Sequence, residues 1–205
     1  MNAEKIPDII IGRLPIYLRA LQRMSSQGMK TTSSQELGDY VGISAAQIRK
    51  DISQFGEFGK QGTGYNIRYL QEQLQRILQV DRDWEVVLIG AGDLGHALAH
   101  YENLRSRGFR ITAIFDSDTT THGLKLGDCV VQDSARMAEV MQQKGYQIAV
   151  IAVPAAAAQE VADICVKAGV KALLNYAPIT LSVPEDVFVQ YIDPLLHLQR
   201  MTYYL

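Results

Sequence analysis

The stretch Gly90-Ala91-Gly92-Asp93-Leu94-Gly95 has the Gly-x-Gly-x-x-Gly spacing of a dinucleotide-binding turn. Each glycine would meet a separate demand of such a turn. Gly90 permits the tight bend, Gly92 lets the backbone approach a pyrophosphate, and Gly95 lets a helix pack closely on a strand. The context agrees. The turn follows the apolar run Val86–Ile89 and opens a helical segment whose N-terminal amides would face phosphate charge. Asp116 stands 21 residues beyond Gly95, at the end of the next apolar run. A carboxylate there would accept hydrogen bonds from the adenosine ribose and repel a 2′-phosphate, which favours NADH or NAD+ over the phosphorylated cofactor. Coenzyme A or another nucleotide on the same fold stays a competitor. Pro154 ends "IAVIAVP" where a nicotinamide would lie, or else simply starts the next helix.

Hydride transfer would also need an acid or base beside a carbonyl. The chain has four histidines. His96 and His100 lie at i, i+4 on the segment after the turn, without an acid or cysteine to complete a metal site, so a solvated helix face is the simpler account and no metal is expected. His122 falls in a loop and His197 on the tail. No Ser-His-Asp order is present, and too little chain follows the nucleotide fold to build a substrate domain. The expectation is a protein that binds the cofactor without consuming it; an NAD-dependent oxidoreductase with a basic accessory domain is the rival.

A second constellation lies upstream. In "SAAQIRKDISQFG", Ile48, Ile52 and Phe55 fall on one helical face. Ala46, Gln47, Arg49, Lys50, Ser53 and Gln54 fall on the other, with Asp51 on the flank. Arg49 and Lys50 suit guanine O6 and N7 in a major groove, and Gln47 and Gln54 could read adenine or hold phosphates. Ser44, at the helix start, could set backbone amides on a phosphate. The following "GEFGKQGTGYNIRYL" reads as a β-hairpin wing. Its Lys60, Gln61, Gly64 and Tyr65 would reach a DNA backbone or the adjacent minor groove.

The elements that must hold these groups follow from pattern. Leu14, Tyr17, Leu18, Leu21 and Met24 are spaced for a helix that Gly28 ends. Ser33-x-x-Glu36 and Ser44-x-x-Gln47 are two capping boxes separated by Gly42, the signature of a helix-turn-helix. Tyr69–Leu78 reads as a closing amphipathic helix, and residues 79–84 as a link. Beyond it short apolar strands alternate with helices: "WEVVLIG", "DLGHALAHYENLRSRG", "FRITAIFD", "ARMAEVMQQKG", "YQIAVIAVP", "AAAAQEVADICVKAG", "VKALLNYAP". That alternation implies a parallel sheet covered on both faces. The tail from Pro194 reads as a helix with an apolar stripe, Leu195, Leu198, Met201 and Leu205, that no later strand receives.

The fold expected is α/β: an N-terminal winged-helix domain (1–80), a Rossmann-like parallel-sheet domain (81–192) and a C-terminal helix (193–205). Bulk properties fit. Of 205 residues, 47% are hydrophobic and 20% charged, which allows an ordinary core. Net charge is −2, yet residues 1–80 carry 10 Lys and Arg against 7 Asp and Glu, while residues 81–205 carry 10 against 15. Two cysteines, Cys129 and Cys165, form no C-x-x-C pair, and the N-terminal residues lack the basic start and apolar run of a signal peptide. No membrane partner and a cytoplasmic location are expected.

The chain resembles the Rex family of bacterial redox-sensing transcriptional repressors. The resemblance runs from about Ile11 to the C-terminus, on "RLPIYLRAL", "TSSQELGDYVG", "QIRKDISQFGEFGKQGTGY", "VLIGAGDLGHALAHY", "IFDSD", "AVPAAAAQEVAD", "GVKALLNYAP" and "VQYID". It implies a homodimer on a palindromic double-stranded DNA operator of anaerobic or fermentative genes. NADH and NAD+ would compete for the glycine turn, and NADH would release the DNA. It places the family's Arg-Lys-Asp on Arg49, Lys50 and Asp51, with the lysine in the major groove. It maps a switch onto Arg19, Tyr101 and Asp193, with Tyr101 near the nicotinamide and Asp193 from the other chain. It implies that the tail helix is swapped into the partner. Two positions depart from the family pattern. Gln61, preceded by Lys60, stands where wings often carry arginine, and Pro194 where some members have an aromatic residue.

Overall fold

The computed structural model describes residues 6–60 and 64–205. The chain divides into two compact units, Met1–Arg82 and Asp83–Leu205. The division falls two residues past the expected end at 80, because Asp83 already pairs with Arg110 (3.2 Å) and Trp84 N–H donates to Gly108 (2.7 Å). The tail helix belongs to the second unit rather than standing as a third.

The first unit contains α1 (Asp8–Ile11), α2 (Leu14–Ser26), β1 (Thr31–Thr32), α3 (Ser34–Val41), α4 (Ala45–Ser53), β2 (Gly59–Lys60), β3 (Gly64–Asn66) and α5 (Ile67–Ile77). Helix α2 buries Leu14, Tyr17, Leu18, Leu21 and Met24, the stripe its spacing dictates, against Leu37, Ile48, Ile52, Leu70 and Leu74. The Ser33–Glu36 capping box closes in both directions (2.7 and 3.0 Å). Gly42, at φ +70°, ends α3 in the left-handed conformation that glycine adopts without strain. The turn between α3 and α4 is tight: a Cβ on Gly38 would run into the Ile43 carbonyl. The wing is a three-stranded antiparallel sheet ordered β1-β3-β2, in which β1 was not foreseen. Two residues are too few to show a period.

The second unit contains β4 (Trp84–Ile89), α6 (Asp93–Ala99), α7 (Glu102–Arg105), β5 (Phe109–Asp116), β6 (Lys125–Leu126), β7 (Cys129–Asp133), α8 (Met137–Lys144), β8 (Ile148–Ile151), α9 (Ala155–Lys167), β9 (Ala172–Asn175), β10 (Phe188–Tyr191) and α10 (Pro194–Thr202). The sheet order is β10-β9-β8-β4-β5-β7-β6, parallel throughout except for β6 against β7. Chain direction across the sheet reverses between β4 and β8, so their carboxyl ends flank a crevice, the ligand position of doubly wound folds. Alternate residues of the apolar strands serve opposite faces. Val87, Ile89, Phe115, Ala149 and Ile151 pack with residues of α8 and α9. Val86, Leu88, Ile114 and Val150 pack with Leu98 and Ala99 of α6. Among the described residues no helix is long and apolar enough to cross a membrane.

One expected helix is two. The segment from Asp93 breaks at His100 and Tyr101, where Tyr101 takes ψ 88°. The β6–β7 turn fills the break: Gly127 N–H donates to His100 Nε2 (3.3 Å), and a Cβ on Gly127 would strike the Ala99 carbonyl.

Candidate nucleotide and nucleic-acid sites

The glycine turn separates three roles. Gly90 has φ +104°, and a Cβ there would enter the Ala152 carbonyl of the neighbouring strand end. A Cβ on Gly95 would collide with the Gly90 carbonyl, so helix and turn touch backbone to backbone. Gly92 differs from both. Its φ of −68° and ψ of −170° suit any residue, and a Cβ would meet no protein atom within 4 Å. Nothing inside the protein asks for glycine there, and the space beside its backbone is open. Gly92 is also the N-cap of α6, so the first amides of that helix, from Asp93 and Leu94, are available to an anion.

Asp116 lies at the end of β5, beside this turn. Its carboxylate accepts from Ala91 N–H (2.5 Å) and Asp118 N–H (2.8 Å). A carboxylate has about four acceptor positions. Two stay available for ribose hydroxyls while the other two tie the acid to the turn. Pro154 is the N-cap of α9 at the end of the adjacent strand connection. Tyr101 is 53% exposed, at the start of α7. A cavity of about 520 Å³ beside the N-terminal half of β5, lined by His100, Tyr101, Arg105, Phe109 and Cys129 among others, does not include the glycine turn. His96 and His100 stack on each other (centroids 4.5 Å apart), and among the described residues no group of three metal-ligating side chains is gathered. Cys165 is buried, and desolvation pushes its thiol up to about 12.

In the first unit, Arg49, Lys50, Ser53 and Gln54 are exposed along α4. Arg49 reaches the Ser34 hydroxyl (3.4 Å), and Ser44 caps the helix through Gln47 N–H (3.3 Å). Three expectations need correction. Asp51 is not on a solvated flank: it is fully buried. Arg13 grips it with two bonds (2.6 and 2.8 Å), Tyr17 Oη–H donates to it (2.7 Å), and so does Gln47 Nε2 (2.6 Å). Burial pushes the Asp51 carboxyl up, but the bonds from Arg13, Tyr17 and Gln47 outweigh it and hold its pKa below the usual value. Tyr17 is pushed up, first by burial and then by Asp51. The second capping box is therefore half made: the Gln47 side chain turns to Asp51 instead of back to Ser44. Tyr65 is only 8% exposed and belongs to the core, its ring lying against Gly59 rather than standing free on the wing. Gly64 backs onto the Thr32 carbonyl, which leaves no room for a Cβ. Lys60 takes part in β2, and Gln61 lies outside the described residues.

Arg19 is exposed on α2, without a hydrogen bond among the described residues, and Asp193 caps α10 by accepting from Leu195 N–H (2.9 Å). The stripe Leu195, Leu198, Met201 and Leu205 is exposed throughout, which is unusual for apolar residues so close together.

Sequence comparison decides the family. A "Redox-sensing transcriptional repressor Rex" of Chloroflexus aggregans is 52% identical over 204 residues, covering 100% of this chain and 96% of that protein. The chain belongs to the Rex family. Two family models match within it: "Putative DNA-binding protein N-terminus" over residues 5–53 and "CoA binding domain" over 81–179. Among solved Rex-family structures, the repressor RSP in complex with β-NAD+ and operator DNA has TM-score 0.93 at 36% identity, covering 98% of this chain and 92% of that one. RSP in complex with β-NADH has TM-score 0.89 at 35% identity, covering 97% and 93%.

Proposed function

We propose that this chain is a transcriptional repressor that reads the NADH/NAD+ ratio and leaves its operator when NADH binds. The observation that carries the reading is the full-length likeness to a Rex-family repressor solved with both dinucleotide and operator DNA. The local chemistry agrees with it. Gly92 leaves room for a pyrophosphate, the first amides of α6 face it, and Asp116 keeps acceptors for the ribose. Arg49 and Lys50 stand exposed on the second helix of a helix-turn-helix, where side chains meet base edges. Arg19 and Tyr101, with Asp193 from the other chain, are the residues assigned to couple the cofactor to operator binding, and Lys60 and Gln61 are assigned to the DNA backbone or minor groove.

The cofactor is a regulatory ligand and no hydride moves. NADH must bind the DNA-incompetent arrangement of a homodimer more tightly than the competent one, and that difference alone sets release. A coupling of about 1–3 kcal/mol shifts operator affinity roughly 5–150-fold. The exposed stripe of α10 supplies the face for a second copy. The protein works in the cytoplasm, where its DNA is.

The test is operator binding by the full chain with NADH, with NAD+ and with coenzyme A, the last because of the family model that residues 81–179 match. NADH should weaken binding several-fold more than NAD+, and coenzyme A should do nothing. Equal effects of the two dinucleotides would remove the redox reading, and steady turnover of NADH with a small carbonyl would replace it with an enzyme.

A further inference from the structure

Gln47 occupies the first turn of α4, the part of a recognition helix that meets base edges. Its amide is not free to choose an orientation. The partner at 2.6 Å is Asp51 Oδ1, and Asp51 is ionised by its bidentate pair with Arg13. A carboxylate only accepts, so the amide nitrogen must face it. The carbonyl Oε1 is thereby turned away from Asp51, and among the described residues no protein group donates to it. Arg13 and Tyr17, both from the α1–α2 region, hold Asp51 in place and so hold this orientation.

We propose that Asp51 is a positioning residue that fixes Gln47 as a hydrogen-bond acceptor toward the major groove, so that Gln47 selects an amino-bearing base, adenine or cytosine, over guanine or thymine at one position of each half-site. The inference rests on the operator-binding reading above. Adenine offers N6–H₂ and cytosine N4–H₂ in the major groove, whereas guanine O6 and thymine O4 are acceptors that would oppose Oε1. The second Nε2 hydrogen can add a bond to adenine N7, which ranks adenine first. Oε1 cannot meet a phosphate oxygen, which needs a donor; the second Nε2 hydrogen can, and the salt slope tells the two roles apart.

The experiment is selection of duplexes from a randomised library by the full-length protein and by Gln47→Ala and Gln47→Met, followed by affinity measurements at several salt concentrations. Both variants keep a good helix former at the position, so folding is retained. Unfolding curves of the variants check this. The wild type should enrich A or C at one position per half-site. Both variants should lose that preference alone, by roughly 5–150-fold, the size of one base-pair mismatch. Replacing the selected adenine by purine, or cytosine by 2-pyrimidinone, should weaken the wild type and leave Gln47→Ala indifferent. The salt slope should not change, because no phosphate contact is lost. Unchanged selection by the variants overturns the inference. So does a uniform loss over all sequences with a shallower salt slope, which is the signature of a phosphate contact. If the wild type itself enriches nothing, the operator-binding reading fails, and the inference with it.

Discussion

In the N-terminal unit a buried carboxylate, Asp51, gathers side chains from two helices, and the exposed face of α4 then presents others to the outside. In the C-terminal unit the nucleotide turn is built by leaving side chains out. Gly90 and Gly95 bring backbone against backbone, and Gly92 keeps a space clear. One surface reads by displaying groups, the other by withholding them. The lesson concerns tolerance. A displayed group can be removed at the cost of its own contact, whereas a position kept empty for packing cannot be filled without moving the backbone.

The strongest test of that contrast is Asp51→Ala. It strands the Arg13 guanidinium and the Tyr17 hydroxyl, and breaking a buried pair costs roughly 3–5 kcal/mol; Arg13 is partly exposed, which places this one near 3 kcal/mol. Denaturant unfolding followed by hydrogen exchange should show the loss in residues 6–60 and 64–82 while NADH titration of the second unit stays normal. Loss of both together would break the comparison.

Next in size is Gly95→Ala. Overpacking against the Gly90 carbonyl should cost about 1–3 kcal/mol and abolish NADH binding. The single tryptophan, Trp84 on β4, reports unfolding of this unit by fluorescence. Gly92→Ala sharpens the same point. It should change stability by less than about 0.5 kcal/mol yet weaken NADH by about tenfold or more in calorimetry. Wild-type affinity in that variant would mean that no ligand approaches the backbone there.

The smallest effect is with acid. The Asp51 carboxyl is held below its ordinary value of 3.8, so its contribution is complete above that value and is lost as pH falls through the lower folded value. Exchange protection of α2 and α4 should therefore fall below about pH 4 before that of β4 and β8. The reverse order would show that the buried pair does not dominate acid stability.

The nucleotide turn was legible because its demands are local. A strand, three glycines and a later acid are set by spacing alone, and the structure adds that packing requires Gly90 and Gly95 but not Gly92. The helix-turn-helix was legible from capping residues for the same reason. Asp51 was not, because an acid between Lys50 and Ile52 reads as surface unless its distant partners are known, and Arg13 lies 38 residues away. The one available signal was its position three residues after Ile48, at the margin of the buried stripe. The burial of Tyr65 was not legible because glycines around an aromatic suit a wing tip and a packed ring equally. The helix break at His100 was hidden because its cause, Gly127, sits on another element. The strands β6, β7 and β10 went unnamed. The first is too short to show a period, and the other two alternate too weakly to stand out.

Asp193 closes the start of α10 with its own carboxylate while Pro194 sets the first helical residue. Alanine at that site would therefore fray α10 itself, and in a test of the proposed coupling a lost response to NADH would be confounded with the lost charge. Asparagine retains the oxygen that seals the turn and removes only the negative charge. For this residue the amide variant is the informative deletion, and the smaller side chain is the confounded one.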